Sequence, residues 1–488
     1  MKKIIVIFAL AIVNCSLIID NCFCQWQPDV RLTNDPAVSF TSFNNARCIA
    51  SNGNIVHVVW YDVRDGNDEI YYKRSTDGGI TWEADTLLTN NSAISDNPSV
   101  AVSGSVVHIV WHDGRNVNLE IYYKRSTDGG LTWGADTRLT NDPADRGRPS
   151  VSVTGQVVHV VWGDLRHVNR EVYYKRSTDG GTSWGADIRL TNNPGESRGS
   201  SVSVSGSLVN VVWFDNSDGN EEIYYKRSID GGISWGADTR LTNNTAASQD
   251  PTVSVSDSSA AAGVHVVWHD NRDGNFEIYY KRSIDGGISW GADTRLTNNT
   301  AVSQNPSGAV SGLVVHVVWY DTRDGNSEIY YKRSTDGGSN WGVDTRLTNN
   351  PAASQFPFLS VSGQVVHVVW QDSRDGNFEI YYKRDPTGNV VGINSISNEI
   401  PKEFSLSQNY PNPFNPNTLI SYDLPAADYV SLKIFDLLGK EVVTLVNEKQ
   451  NAGSYSVNFN GSNLSSGMYY YKLESGNFTD TKKMILIK

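Results

Sequence analysis

Cysteine is scarce in this chain: there are four in 488 residues, and Cys15, Cys22 and Cys24 all fall in the first twenty-five. Cys48 is then the one thiol left to the folded part, so no disulfide framework supports it and stability must come from packing. Basic residues are the minority, 41 Lys and Arg against 53 Asp and Glu, a net charge of −12. Binding to a phosphate backbone needs a basic surface, which excludes nucleic acid as a partner. Pairs such as Lys124-Arg125 read instead as edge and solubility charges. Long apolar runs are absent beyond residues 4–13, which follow Lys2 and Lys3. That run is too short to span a membrane and has the flanks of a secretory signal, read as residues 1–24, so no transmembrane span is expected in the mature chain. Asn14 fits poorly before a lipid-bearing Cys15. Little in the repeats is patterned as helix, and no phosphate loop, zinc motif or nucleophile elbow occurs.

What the chain does have is tryptophan, fourteen residues in two series of seven. Trp60, Trp111, Trp162, Trp213, Trp268, Trp319 and Trp370 each end a strand-like run. Trp82, Trp133, Trp184, Trp235, Trp290 and Trp341 follow a glycine turn, and Trp26 heads a matching tail. The period of about fifty residues suits one four-stranded propeller blade. Strand A is a short alternating run such as Ser150-Val151-Ser152-Val153, and strand B is His159-Val160-Val161-Trp162. A turn like Arg323-Asp324-Gly325-Asn326 leads to strand C, Glu328 to Arg333. Strand D is expected to run from the turn Trp through Arg-Leu-Thr. The seventh unit stops at Arg384 without such a tail, while Trp26 to Asn34 matches Trp133 to Asn141. The N-terminus is therefore expected to supply the last blade's outer strand. The fold read is all-β: a seven-bladed β-propeller of four-stranded blades over residues 25–387, closed by its N-terminal strand.

Composition shifts after Arg384. Residues 388–402 read as a linker, and 403–488 as a small C-terminal β-sandwich. This segment holds Asn409-Tyr410-Pro411-Asn412-Pro413-Phe414-Asn415-Pro416, Leu464-Ser465-Ser466-Gly467-Met468-Tyr469-Tyr470-Tyr471 and a terminal Lys482 to Lys488. It resembles the type A C-terminal sorting domain of type IX secretion. The resemblance implies handling by that machinery, export across the outer membrane, and a secreted or cell-surface location. The turn Ser126-Thr127-Asp128-Gly129-Gly130-Leu131-Thr132-Trp133 has near-copies bearing Asp77, Asp179, Asp230, Asp285 and Asp336. These resemble the Asp-box, or bacterial neuraminidase repeat, of sialidases and other propellers. A role in the turn is expected for all six aspartates, because an active site is not built six times over. In such families these turns lie away from the active-site face.

Sialidases of that superfamily use an arginine triad, a Tyr/Glu nucleophile pair and an Asp acid/base, and so need an asymmetric site. Here Arg64, Arg115, Arg166, Arg272, Arg323 and Arg374 recur in one column, and Asp62 through Asp372 in another. Recurrence favours an ion pair bracing each B–C turn, and the Arg-Ile-Pro signature is absent. Catalytic residues are therefore not assigned. Asymmetry appears instead in two columns on the expected D–A and B–C loop face. One reads Ala46, Asn97, Arg148, Gly199, Asp250, Asn305, Phe356; the other reads Tyr61, His112, Gly163, Phe214, His269, Tyr320, Gln371. From these, Arg47, Arg148 and Arg198 are candidates for an anion site at the channel mouth and Asp250 for an acid, with His112, His269 and Tyr320 as further ligand contacts. The histidines before strand B's Val-Val-Trp are spread round a ring, whereas metal ligands must converge, so no metal site is assigned to them. No cofactor is expected; calcium at the Asp-x-Arg-Asp-Gly-Asn turns is the one left open, and these lack an EF-hand's acidic spacing. The leading reading is a propeller that binds an extracellular glycan or protein without catalysis. A sialidase-like glycoside hydrolase and a non-binding display module are the alternatives.

Overall fold

Strand B anchors each blade because its side chains are β-branched or aromatic at nearly every position. In Val157–Asp164 and Val365–Asp372 every residue after the first is buried. A strand covered on both faces loses the usual polar alternation. The structure, a computed structural model, describes residues 26–43, 47–256, 263–388, 394–397, 401, 403–450, 452–461 and 464–487. The secretory signal, its three cysteines and Ala46 lie outside the described residues. Among the described residues there is no helix. Contacts divide the chain into two units, Trp26–Ile393 and a second containing Asn394–Lys488.

The larger unit is a ring of seven antiparallel blades. In the third, strands A to D are Arg146–Thr154, Val157–Asp164, Glu171–Ser177 and Ile188–Arg189, hydrogen-bonded in that order. The first blade alone has strand A in two pieces, Ser39–Phe40 and Ile49–Asn52, both paired with Ile55–Asp62. Closure follows the expected exchange. Val30–Arg31 pairs with Glu379–Asp385, Val30 opposite Tyr382 and Arg31 opposite Tyr381. Gln27 N and Leu32 N extend the seam, donating to Arg384 O at 2.9 Å and Ile380 O at 2.8 Å.

Strand D departs from expectation, being only two residues long, as in Thr137–Arg138. The reason is where the turn tryptophan goes. Trp133 does not sit beneath its own turn; it stands edge-on against Tyr72 of the preceding blade, centroids 4.8 Å apart. All seven blades repeat this contact, Trp26 meeting Tyr331 at 5.0 Å. Trp133 is thus committed to the blade interface, while Gly134 and Ala135 after it are exposed and Gly134 N keeps a bond to strand C, at Arg125 O (2.9 Å). Gly130 shares that interface. Its φ is +86°, and a Cβ there would overlap the Tyr72 hydroxyl, so only glycine fits.

The smaller unit is a sandwich of two four-stranded sheets. One orders Asn394–Ser397, Gly453–Asn460, Asn417–Leu424 and Ser405–Leu406; the other orders Glu441–Gln450, Asp428–Phe435, Gly467–Ser475 and Phe478–Leu486. Ile420, Val430, Leu432, Ile434, Leu473 and Met484 are fully buried between them. Residues 394–397, read as linker from composition, instead add an edge strand, with Asn394 opposite Ser456.

Candidate functional site

The recurrent polar columns are consumed by blade construction. Asp164 lies at the end of strand B with its carboxylate buried; Oδ2 accepts from Trp162 Nε1 at 3.0 Å and Arg166 Nη2 at 2.6 Å. Burial pushes its pKa up, but hydrogen bonds from Arg166 and Trp162 outweigh that and hold the carboxyl below its usual range. Arg166 also reaches Asp187 at 2.9 Å and lies over the Tyr173 ring at 4.2 Å. Each strand-B histidine is likewise spent, His159 Nδ1 meeting Tyr174 Oη at 2.8 Å. The Asp-box carboxylates serve their own turns. Asp128 Oδ1 accepts from Ser126 Oγ at 2.7 Å and Thr132 N at 2.9 Å, and the Thr132 hydroxyl bonds Oδ2. Those bonds, the Thr132 hydroxyl's first, hold Asp128 well below the usual carboxylate range. Asp77, Asp179, Asp230, Asp285 and Asp336 repeat the arrangement. In the Asp-Gly turns, Asp324 is engaged by the Tyr330 hydroxyl and faces Arg346 at 3.3 Å. No cluster of three metal-ligating side chains is found among the described residues.

The D–A and B–C loops share the opposite face, and there the blades differ. Strand A carries a register shift just before its alternating run, between Gly147 and Ser150 in the third blade and at matching positions in others. One divergent column sits on this bulge. Asn97, Arg148, Asp250, Asn305 and Phe356 adopt φ of +49 to +55°, and Gly199 +58°. Such backbone costs a non-glycine residue about 1–3 kcal/mol, least for Asn and Asp. The bulge is therefore architectural, whereas the choice of Arg148 and Phe356 at it is not, because glycine or asparagine would be cheaper there.

Around the ring these side chains sort into two arcs. Blades two to four are charged. His112 is buried against the Asp96 carboxyl. Burial, then the field of Arg148, pushes His112 down to about 4, while burial pushes Asp96 up to about 6 against the lowering effect of Asn97 and Arg148. The imidazole is thus already neutral at the pH where the carboxyl loses its proton, so the contact is a carboxyl–imidazole hydrogen bond and not an ion pair. Arg148 is exposed and makes no ion pair among the described residues. Arg198 is tied to Glu196 and stands 3.9 Å from Glu221. Between them lies Arg170, whose pKa is lowered first by burial and then by Arg148 and Arg198. Arg170 thus feels two further guanidinium groups, one on its own blade and one on the next.

Blades five to seven and one are aromatic. His269 is buried edge-on to Phe276 at 4.9 Å, accepts from Asn305 N at 3.3 Å, and lies 3.9 Å from Asp250. Tyr320 donates to Gln304 Oε1 at 2.7 Å and neighbours Phe356 at 6.1 Å. From Phe356 the rings continue to Phe43 (4.9 Å), Phe40 (5.9 Å) and Phe378 (5.6 Å), all half-buried. Arg47 stands apart from both arcs. Its side chain enters the axial channel, and Nη2 approaches Val253 O at 3.4 Å.

The candidates therefore divide into Arg148 with Arg198 and His112, Asp250 with His269 and Tyr320, and Arg47 alone. Asp96, Arg170, Phe276 and Phe378 were missed. Three had a signal: the residue before strand C's recurrent Glu reads Asp68, Leu119, Arg170, Glu221, Phe276, Ser327, Phe378, a third divergent column.

The ring and its turns are those of an Asp-box propeller, and the C-terminal sorting domain makes it a secreted or surface-displayed one. Residues 408–488 match the family described as secretion system C-terminal sorting domain, and residues 73–84 match the BNR/Asp-box repeat. No curated protein matches the sequence. Among solved structures, polysaccharide lyase Uly1 is similar over 74% of this chain and 99% of its own, with 8% identity and a TM-score of 0.52. A Trypanosoma rangeli sialidase aligns over 79% of this chain and 83% of its own at 11% identity and TM-score 0.41. An alpha-L-arabinofuranosidase from Fusarium graminearum aligns over 59% and 91% at 13% and 0.41. At these identities the likeness concerns the fold. No helix among the described residues is long and apolar enough to cross a membrane.

Proposed function

We propose that the D–A and B–C loop face binds an acidic extracellular glycan. The observation that carries this is the convergence of Arg148, Arg170 and Arg198 on adjacent blades, where burial first and then the two neighbouring guanidinium groups lower the Arg170 pKa. Like charges held together at a surface favour an anion between them, and guanidinium recognises carboxylate or sulfate with paired hydrogen bonds. The half-buried ring chain from Tyr320 to Phe378 supplies apolar faces on which sugar rings can pack. An array of acidic and neutral polysaccharides tests the reading on the full-length protein. Arg170→Ala should weaken acidic-glycan binding about tenfold or more, since a charge-assisted bond contributes about 1.5–3 kcal/mol. Equal retention of neutral and acidic glycans would sink it.

Strain at the bulge separates function from scaffold. Arg148→Asn relieves an unfavourable φ, so the folded state should gain about 1 kcal/mol while glycan affinity falls. Denaturant melts and the same binding assay read both. A gain in stability with unchanged affinity would return Arg148 to the scaffold.

A second reading, catalysis, is favoured by Asp96, a buried carboxyl that keeps its proton up to about 6 beside Arg148 and His112. Incubation with acidic polysaccharides, followed for new reducing ends and for unsaturated uronide, tests hydrolysis and elimination together. Turnover that disappears in Asp96→Asn would make the site an active site.

A further inference from the structure

The axial channel encloses about 220 Å³ and is walled by the first strands of all seven blades. Valine and serine make up most of that wall, and Arg47 is its one charged residue. Arg47 stands where five other blades place proline: Pro98, Pro149, Pro251, Pro306 and Pro357. Its backbone carbonyl accepts from Val100 N at 2.9 Å, which fixes the residue in the wall. The side chain crosses toward the fifth blade, where one long hydrogen bond to Val253 O is its single side-chain bond among the described residues. No carboxylate among the described residues lies within ion-pair distance of it, and burial lowers its pKa. A guanidinium has five donors, so most of them face the cavity. Ser51 and Ser360 hydrogen-bond each other at 2.7 Å, but no bond of the Ser203 and Ser254 hydroxyls is seen among the described residues.

Arg47 is part-buried in a channel wall that, among the described residues, offers its guanidinium no counter-charge, a placement that favours an anion beside it. We propose that the channel is a binding site for one small monovalent anion, held by the Arg47 guanidinium and by serine hydroxyls. One fixed positive charge calls for one negative charge. The valine wall disfavours a strongly hydrated divalent oxyanion, and the cavity, about seven water volumes, has room for a halide with residual water. The site lies inside the ring and is independent of the acidic-glycan reading, which concerns the rim.

The test is thermal unfolding of the full-length protein in chloride against fluoride at constant ionic strength. Wild type should gain about 3 °C or more over a hundredfold rise in chloride and then saturate, as expected for a ligand that binds only the folded state. Arg47→Gln should lose the dependence, and in fluoride it should melt at or above the wild type because the uncompensated charge is gone. The same chloride response in Arg47→Gln would overturn the proposal, as would no response in wild type. If Arg47→Gln fails to fold, bromide-soaked wild-type crystals decide: an anomalous peak in the channel beside Arg47 is expected, and its absence overturns the assignment.

Discussion

Acidification from pH 7 towards 4 unfolds the propeller well before the strand-B aspartates such as Asp164 titrate. Burial, and then a strand-C arginine, pushes His57, His108 and His159 down to about 4 and His265 and His367 down to about 3. The folded state keeps these imidazoles neutral, whereas the unfolded chain protonates them near 6.5, so unfolding takes up protons as the pH falls. Stability is complete above the unfolded value and is lost between 6.5 and the folded values. Each histidine is worth roughly 3–4 kcal/mol over that window, and five together match or exceed the roughly 5–15 kcal/mol that holds a typical domain folded. The buried Asp164 type has its pKa lowered instead, and its contribution is lost only below about 3.9, later in the titration. The fourth blade supplies the control. Asn210 occupies the histidine's place, and Tyr225 Oη donates to its Oδ1 at 2.6 Å. A chain with His57, His108 and His159 each changed to Asn should keep its neutral-pH stability within about 1–2 kcal/mol and unfold at a clearly lower pH. Urea melts across pH 7 to 4 make the comparison, and an unchanged acid midpoint in the triple variant would assign acid lability elsewhere.

Asp270→Ala should cost about 3–5 kcal/mol, the penalty for stranding a buried ionic partner, and lower the melting temperature by about 10 °C. The carboxylate of Asp270 accepts from Ser248 Oγ at 2.6 Å, Trp268 Nε1 at 3.2 Å, Arg272 Nη2 at 2.6 Å and Arg272 N at 2.9 Å. Deleting it leaves a buried indole and a buried hydroxyl without this acceptor and takes from the Arg272 guanidinium one of its two carboxylates, the other being Asp293 at 2.7 Å. Arg272→Ala should cost much less, because the fourth blade manages without this arginine. There Ser217 holds the position, donating its N–H to Asp215 Oδ1 at 2.8 Å, and Asn193 Nδ2 reaches Oδ2 at 2.9 Å. Calorimetry of the two variants ranks them; equal losses would show that the pair, not the carboxylate, is the unit of stability.

Repetition made the ring legible in the sequence. Seven strand-B tryptophans, a tail displaced to Trp26 and a missing tail after Arg384 specified both blade number and closure. Strand D was overestimated because pattern reading works within a strand, while Trp133 answers to Tyr72 on another blade. The same boundary limits the site. Arg47, Arg148 and Arg198 looked alike as basic exceptions to a repeat. Yet Arg47 aligns with the prolines of five other blades, one position on from Arg148, and its side chain lies in the channel. Arg170 lay in an unexamined column, and nothing in one blade's sequence tells that its charge is felt with those of the next. Asp96 needed burial to become distinctive, and burial is set by the fold.

The seam between Val30–Arg31 and Glu379–Asp385 also has a meaning in time. A nascent chain emits one half of this seam first and the other half some 350 residues later, so the first half waits unpaired for nearly the whole of synthesis. The segment that directs export, residues 408–488, is made after the second half. Any molecule that carries its export address has thereby also received every strand its ring requires. Because the address follows the closing strand, its presence marks a chain long enough to complete the ring.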